Sequence, residues 1–395
     1  MRRRRFFPIT QSKDNTALNF DILKMKTPKL KRSKFFLVFT SVLFAAAGFC
    51  TSSQASTFPN LISSLKMLEQ TAQFCGERVP LDIQEVRERF EKEFLLMLWN
   101  RPQVILWLKR TGRYFPYIEK MLQESGMPED LKYVAVIESA LRLQARSHKG
   151  AVGFWQFMPH TGRRYGLIVN RRLDERRNLF AATQAAIDYF KELHEMLGSW
   201  TLAAAAYNMG ETGLMAEMME QKMNDYYRLY LPLETQRFLF RILAAKSILS
   251  DPEKFGFVLA ERDYYRPMAF DRIRIDSVSE VPVRVLAVAA ETHFKAIKDL
   301  NPDIRGHYLI SGSHTILVPK GAGEGFHLRY EALLQQEQAQ QKERIYIVQE
   351  GDNLSMIAER FGVPLSAIII WNRLDIEKPI HPGERLIVFP QKGDN

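Results

Sequence analysis

Glu138 is the residue whose surroundings most invite chemistry. It stands in the apolar run Val134-Ala-Val-Ile-Glu-Ser-Ala-Leu141, which reads as a helix. Its neighbours three and four positions away are Val134, Ala135, Leu141 and Arg142. A carboxyl group among such neighbours loses hydration, and its pKa rises. A raised pKa suits a proton donor working near neutral pH. A helical Glu is ordinarily a solvated surface group, so the helix alone leaves the two readings level. The loop that follows tips the balance. Residues 143–162 carry Ser147, Gly150, Gly153, Trp155, Gln156, Met158, Pro159 and Gly162. Gly150 and Gly153 permit close backbone approach to a ligand. Trp155 offers an aromatic plane for a sugar face, and Ser147 and Gln156 offer donors and acceptors for hydroxyl and acetamido groups. Each alone is an ordinary loop or core residue; the ordered combination is far more specific.

The elements that must position these groups are mainly helical up to about residue 270. Residues 82–125 show helical spacing of apolar side chains, for example Leu95, Leu98 and Trp99. Pro128 followed by Glu129 and Asp130 suits the start of the helix that carries Glu138. Helical patterns return over 179–197, 201–209 and 234–250. After Pro267 the composition changes. Residues 272–319 place β-branched edges, Ile273 to Val278 and Thr315 to Val318, around a helical middle. A polar helix with the run Gln335 to Gln341 leads to a last unit from Arg344 to Pro390, which again reads strand, helix, helix, strand. "LAVAAETHFKAIKDLNPDI" and "LSMIAERFGVPLSAIIIWNRLDI" align in pattern, so the two units read as a diverged repeat, more a binding array than a catalytic device.

The stretch "ESALRLQARSHKGAVGFWQFMPHTGRRYG" resembles the first signature of the family 1 lytic transglycosylases, which have the SLT, goose-lysozyme-like domain. "SWTLAAAAYNMGETG", Ser199 to Gly213, resembles the second, and the segment "LPLETQRFLFRILAAKSIL" follows it. Residues 346–389 resemble a LysM module almost from end to end, and the resemblance as a whole spans roughly residues 80–390. It implies a mainly α, lysozyme-like catalytic domain followed by small α+β (βααβ) LysM-type modules. The boundaries expected are a targeting segment over 1–55, an N-terminal helical region over 56–115 and the catalytic domain over 116–260. A degenerate LysM-like module at 270–320, a helical linker at 321–343 and a LysM domain at 344–390 complete the order.

By position, the resemblance implies that Glu138 is the catalytic acid and base. Ser147, Gln156 and Met158 match cleft positions, and Tyr207 and Asn208 match the AYN motif, whose tyrosine lies near the acid. Tyr207 either hydrogen-bonds Glu138 and fixes its rotamer or packs with its hydroxyl satisfied by backbone. The loop after AYN departs from the family's glycine-rich pattern, with Met209, Glu211 and Thr212 intervening. The implied reaction cleaves the bond between N-acetylmuramic acid and N-acetylglucosamine and closes the C6 hydroxyl on C1, leaving a 1,6-anhydro end. That chemistry needs one protein carboxyl group where ordinary glycosidases use two. A muramidase of the same fold would need a second, for which Asp174, Glu175, Asp188 and Glu211 are candidates, Asp174 and Asp188 foremost. A non-catalytic wall-binding scaffold is the remaining alternative. In the LysM module, the loop Gly351, Asp352, Asn353 and Leu354, with the region Leu374 to Ile376, is implied to contact glycan, while Trp371 reads as core. The 270–320 copy lacks the Gly-Asp-Asn loop.

Bulk properties bound the partners. The chain has 395 residues, 46% of them hydrophobic and 25% charged, a globular composition of two or three domains. Its net charge of +10 suggests an anionic partner, yet residues 1–55 hold eleven Lys or Arg against two acids, nearly all of that excess. The nucleic-acid reading therefore loses its support, and peptidoglycan strands are the expected partner of a chain otherwise expected to be monomeric. The basic stretch Lys29 to Lys34, the uncharged run Phe35 to Phe49 and Ser53-Gln54-Ala55 have the order of a secretory signal peptide. An uncleaved membrane anchor and a lipoprotein signal at Cys50 are the other readings, and Met25 offers a later start. The expected location is the periplasm or cell envelope. Cleavage after Ala55 leaves Cys75 without a disulfide partner. His148, His160 and His194 lack metal-ligand spacing, so neither metal nor cofactor is expected.

Overall fold

The computed structural model describes residues 61–68, 72–343, 345–375 and 378–389. The expected targeting segment, Cys50, Arg344, Ile376 and Pro390 lie outside the described residues. The first body is helical: α1 (Leu61–Lys66), α2 (Gln84–Trp99), α3 (Arg101–Glu124), α4 (Lys132–Ser139), α5 (Pro159–Arg164), α6 (Leu179–Leu197), α7 (Trp200–Met209), α8 (Glu211–Gln221) and α9 (Leu233–Ser250). A two-residue hairpin, β1 (Gln73–Phe74) with β2 (Glu77–Arg78), was not foreseen in the helical pattern. One apolar core runs from Leu68 to Phe257, so the helices before residue 116 share the core of those after it. Trp99 departs from the apolar face read for α2: it is exposed at the bend into α3, while Leu98 is buried. Start and stop signals are local. Asn178 caps α6 by accepting from the N–H groups of Phe180 and Ala181, and Ser199 caps α7 through Leu202. Gly198 ends α6 in the left-handed region.

The second body contains β3 (Phe270–Ser277), β4 (Val281–Pro282), α10 (Val283–Ala289), α11 (Phe294–Leu300), β5 (Tyr308–Leu309) and β6 (Gly312–Pro319), and β3 pairs antiparallel with β6 from Phe270↔Pro319 to Ser277↔Gly312. The helix α12 (Phe326–Glu343), expected as a linker, packs on this unit through the buried Phe326 and Tyr330. The third body holds β7 (Ile345–Ile347), α13 (Leu354–Arg360), α14 (Leu365–Asn372) and β8 (Arg385–Ile387), with β7 antiparallel to β8. Both small bodies therefore have the strand–helix–helix–strand order, each around its own core.

The two copies share one device that pattern alone did not disclose. In the second body, Asn301 at the end of α11 donates from Nδ2 to the carbonyls of Ile297 and Leu317 and accepts from the Leu317 N–H. In the third, Asn372 at the end of α14 donates to the carbonyls of Ile368 and Ile387 and accepts from the Ile387 N–H. In each, one amide ties the second helix to the closing strand and satisfies buried backbone groups. Asn301→Leu is expected to destabilise its module by about 2–4 kcal/mol, because it strands two backbone partners. Urea unfolding followed by β-sheet signal checks this; a loss under 0.5 kcal/mol would contradict the clamp.

Candidate active site

The helix α4 is eight residues long and almost wholly buried, and Glu138 sits in its last turn. The helix stops there because Ala140 and Leu141 both take left-handed φ angles, +54° and +55°. Two consecutive non-glycine residues in that region carry strain, and such strain gathers at functional sites. The carbonyls left open at the helix end are answered by guanidinium groups: Arg110 donates to Ala140 O and Arg142 to Ser139 O. Glu138 is part-buried, facing a cleft of about 730 Å³ while protein surrounds its other sides. Burial pushes its carboxyl up to about 7; Arg241 opposes the rise and Glu234 adds to it. The negative end of the α4 dipole acts in the same direction as burial.

The cleft gathers the residues that the resemblance placed at it. Ser147, Gln156, Met158, Tyr207 and Asn208 line it together with Glu138. Ser147 Oγ accepts from Ala151 N–H at 3.0 Å, which closes the loop and leaves the hydroxyl hydrogen for another acceptor. Gln156 has φ +48° and donates to Gly153 O at 2.8 Å. Asn208 accepts from the Thr235 hydroxyl at 2.9 Å. Tyr207 stacks on Phe190 with ring centroids 4.5 Å apart, and its hydroxyl donates to the Trp155 carbonyl at 2.6 Å. Of the two roles open to it, the structure selects the backbone-satisfied one. Burial and the nearby Glu138 charge raise its pKa, so the phenol stays protonated.

Three readings of the loop are corrected. Trp155 is 1% exposed and its indole N–H donates to Thr183 Oγ1 at 3.0 Å, so it is core and not a sugar platform. Gly153 makes its close approach to protein, not to ligand: with φ +85°, a Cβ there would lie 1.6 Å from Arg176 O. Asp174, a candidate second acid, is buried and clamps Arg176 through two hydrogen bonds of 2.8 and 2.9 Å. Arg176 in turn donates to the carbonyls of Gly150 and Phe157 and so holds both arms of the loop. Asp188 is exposed on α6, bonded to Gln184, and Glu175 accepts from Ile168 N–H; neither lines the cleft.

Sequence reasoning missed the groups that α9 contributes, Glu234 at the cleft rim and Arg241 beside the acid, although both lie in the quoted segment that follows the AYN signature. Their spacing of seven residues places them on one helix face, and that was the available signal. Glu211 also lines the cleft. Tyr189 donates to it at 2.8 Å and Arg164 at 2.5 Å. Burial alone would raise its pKa, but these hydrogen bonds and its own backbone N–H outweigh it and keep the carboxylate ionised. Glu211, in the segment where the resemblance led one to expect glycines, thus builds a rim tied by an ion pair to Arg164.

Comparison with known proteins matches two parts of the chain. Residues 115–229 match the transglycosylase SLT domain and residues 346–389 the LysM domain. Membrane-bound lytic murein transglycosylase D of Escherichia coli K12 is 30% identical over 329 residues, 80% of this chain and 72% of that protein. The chain belongs to the lytic murein transglycosylases. A putative tributyltin chloride resistance protein of Alteromonas sp. strain M-1 is 33% identical to the transglycosylase over 110 residues, 53% of its own length. A crystal structure of an inactive mutant of the lytic transglycosylase Slt from Pseudomonas aeruginosa overlaps 52% of this chain and 30% of its own at 16% identity and a TM-score of 0.26, too little to argue from.

In the LysM body of this transglycosylase, Asn353 caps α13 by accepting from Met356 N–H. Asp352 accepts from the Tyr346 hydroxyl and the Gln349 N–H, which hold its carboxyl below the usual range. Gly351, exposed with φ +86°, and the part-buried Leu354 complete the loop. Trp371 is half-buried and packs edge-on against Phe389.

Because the Asp174–Arg176 pair is buried and supports the loop, Asp174→Ala is expected to cost about 3–5 kcal/mol of stability. Urea denaturation alongside an activity assay checks it. Full stability with lost activity would instead make Asp174 a reacting group.

Proposed function

We propose that Glu138 is the one general acid and base of the reaction. It protonates the glycosidic oxygen between N-acetylmuramic acid and N-acetylglucosamine, and then, as a carboxylate, takes the proton of the C6 hydroxyl that closes on C1. The product is a 1,6-anhydro-muramyl end. The observation that carries this reading is a carboxyl group lifted to about 7 by burial at the wall of an open cleft of about 730 Å³. It is half-protonated near neutral pH, so it can give and recover a proton in one turnover. Because the nucleophile belongs to the substrate, orientation and exclusion of water matter more than a second carboxylate. Glu211 is engaged by Arg164 and Tyr189, and Glu234 is exposed at the rim, an arrangement that favours one working acid. Ser147, Gln156, Met158 and Asn208 are proposed to hold the sugar, and Tyr207 to pack the wall behind the acid. The Gly351–Leu354 loop is proposed to grip N-acetylglucosamine strands and raise substrate concentration at the cleft.

The protein acts in the cell envelope. The N-terminal basic and apolar stretch is proposed as its export signal to the periplasm; sequencing the mature N-terminus tests this. Among the described residues, no single helix is long and apolar enough to cross a membrane.

Glu138→Gln is expected to abolish release of anhydro ends from peptidoglycan while wall binding persists, as read by mass spectrometry of the digest. Retained activity would refute the assignment, and reducing ends from the wild type would indicate a muramidase. The kcat/KM is expected to fall as pH rises through about 7, where the acid loses its proton. Stability moves with it. A carboxyl whose folded pKa lies above its ordinary value of 4.5 stabilises the fold most at low pH and loses that contribution as pH rises toward about 7. Glu138→Gln should therefore gain roughly 3 kcal/mol over wild type at pH 8 and nothing comparable at pH 4. Equal gains at both pH values would remove the desolvation argument.

A further inference from the structure

Residues 270–319 fall between the two matched regions, 115–229 and 346–389, so the second body has no assigned role. Its likeness to the third body says where a sugar face would lie. Asn301 and Asn372 make the same hydrogen bonds to their closing strands, so the residues after each hold the same place in their modules. In the third body that stretch contains Leu374 and the exposed Asp375, in the region expected to meet glycan. In the second body it runs from Pro302 to Arg305, and it is already occupied.

A turn of the first body fills it. Asn170 shapes the turn by accepting from the N–H groups of Arg172 and Leu173. Leu173 is 2% exposed and belongs to the apolar core of the second body, not to that of the first. Around it the backbones pair as an added strand would: Asp174 N–H donates to Asp303 O at 2.9 Å, and Arg305 N–H to Arg172 O at 2.7 Å. Asn178 Nδ2 donates to Asp303 Oδ2 at 3.2 Å. The loop between β3 and α10, which answers to Gly351–Leu354, is engaged as well, because its Glu280 pairs with Arg172. A glycan laid on this face would need the backbone groups that the turn uses and the apolar seat that Leu173 fills.

The turn leads straight into the support of the cleft. Three residues after Leu173, Arg176 donates to the Gly150 and Phe157 carbonyls, and its own carbonyl packs against Gly153 where a Cβ would otherwise stand. Ser147 and Gln156 are carried to the cleft wall by that loop. A leucine seated in a close-packed core has little freedom, so its burial fixes the turn. Positioned groups displaced by about 1 Å can cost a hundredfold in rate.

We propose that the second body is an internal brace and not a second glycan module: it seats Leu173 where a sugar would lie, and through Arg176 this contact fixes the cleft loop. Leu173 is then a positioning residue for the reaction. Its effect on turnover rests on the proposed cleft residues; the occupied face does not.

The test uses the full-length protein. Leu173→Ser is expected to lower kcat/KM on peptidoglycan strands at least tenfold. Amide hydrogen exchange over residues 150–157 should accelerate at least tenfold, while exchange in α2 and α9 stays within twofold of wild type. Leu173→Met, which refills the seat, is expected to restore both. Leu173→Ala carries the test if Leu173→Ser does not fold. Wild-type kcat/KM in a folded variant, or a loss that Leu173→Met does not repair, overturns the proposal. A second measurement needs no variant. Adding an N-acetylglucosamine pentamer to wild type is expected to leave exchange over residues 301–306 unchanged, and slowing there overturns the brace. Absence of slowing at 351–354 would count against the third body's grip on sugar alone. Retained activity in Glu138→Gln would defeat the acid assignment and leave the exchange results standing, since they report the loop without turnover.

Discussion

The structure turns on taking one carboxyl group out of bulk water while leaving it at the wall of an open cleft. Glu138 is placed at the end of a short buried helix, where desolvation and the helix dipole both disfavour its charge. The left-handed pair Ala140 and Leu141 stops the helix at that point, and Arg110 and Arg142 answer the carbonyls exposed by the stop. Other elements then enclose the acid: α7 brings Tyr207 behind it, and α9 brings Arg241 as the one guanidinium that moderates the rise.

The loop that completes the cleft depends on a second buried interaction. Asp174 and Arg176 neutralise each other inside the protein, and the remaining guanidinium hydrogens bind the Gly150 and Phe157 carbonyls. The Asp174 N–H donates to Asp303 O, and Arg305 N–H to Arg172 O, so the same segment docks the second body onto the first. Further on, Arg373 lies over the Tyr308 ring and pairs with Glu280, joining the third body to the second. The two small bodies are thus attached through the segment that supports the cleft loop.

Much of this was legible in the sequence, and the omissions have a common physical cause. Periodicity showed that α4 was apolar around a single acid, and the helix boundaries at 179–197 agree with it because Asn178 and Gly198 are strong local signals. The repeated βααβ order was visible because β-branched edges and short helices recur. What could not be read was which faces meet across long separations. Trp155 looked like a sugar platform because its loop is glycine-rich, yet its partner Thr183 lies 28 positions away. Asp174 looked like a free carboxylate because nothing local shows that Arg176 turns back into the core. Arg241 lies about a hundred positions from Glu138, and only the packing of α9 against α4 brings them together.

The central claim is that Glu138 holds its proton to near neutrality, and the most direct measurement is its own titration. Carbon-13 labelling of glutamate side chains, with Glu138→Gln used to assign the resonance, gives the midpoint by NMR in the intact protein. The account predicts a midpoint near 7. A midpoint close to the ordinary 4.5 would mean that water reaches the carboxylate freely, and the single-acid account would fail.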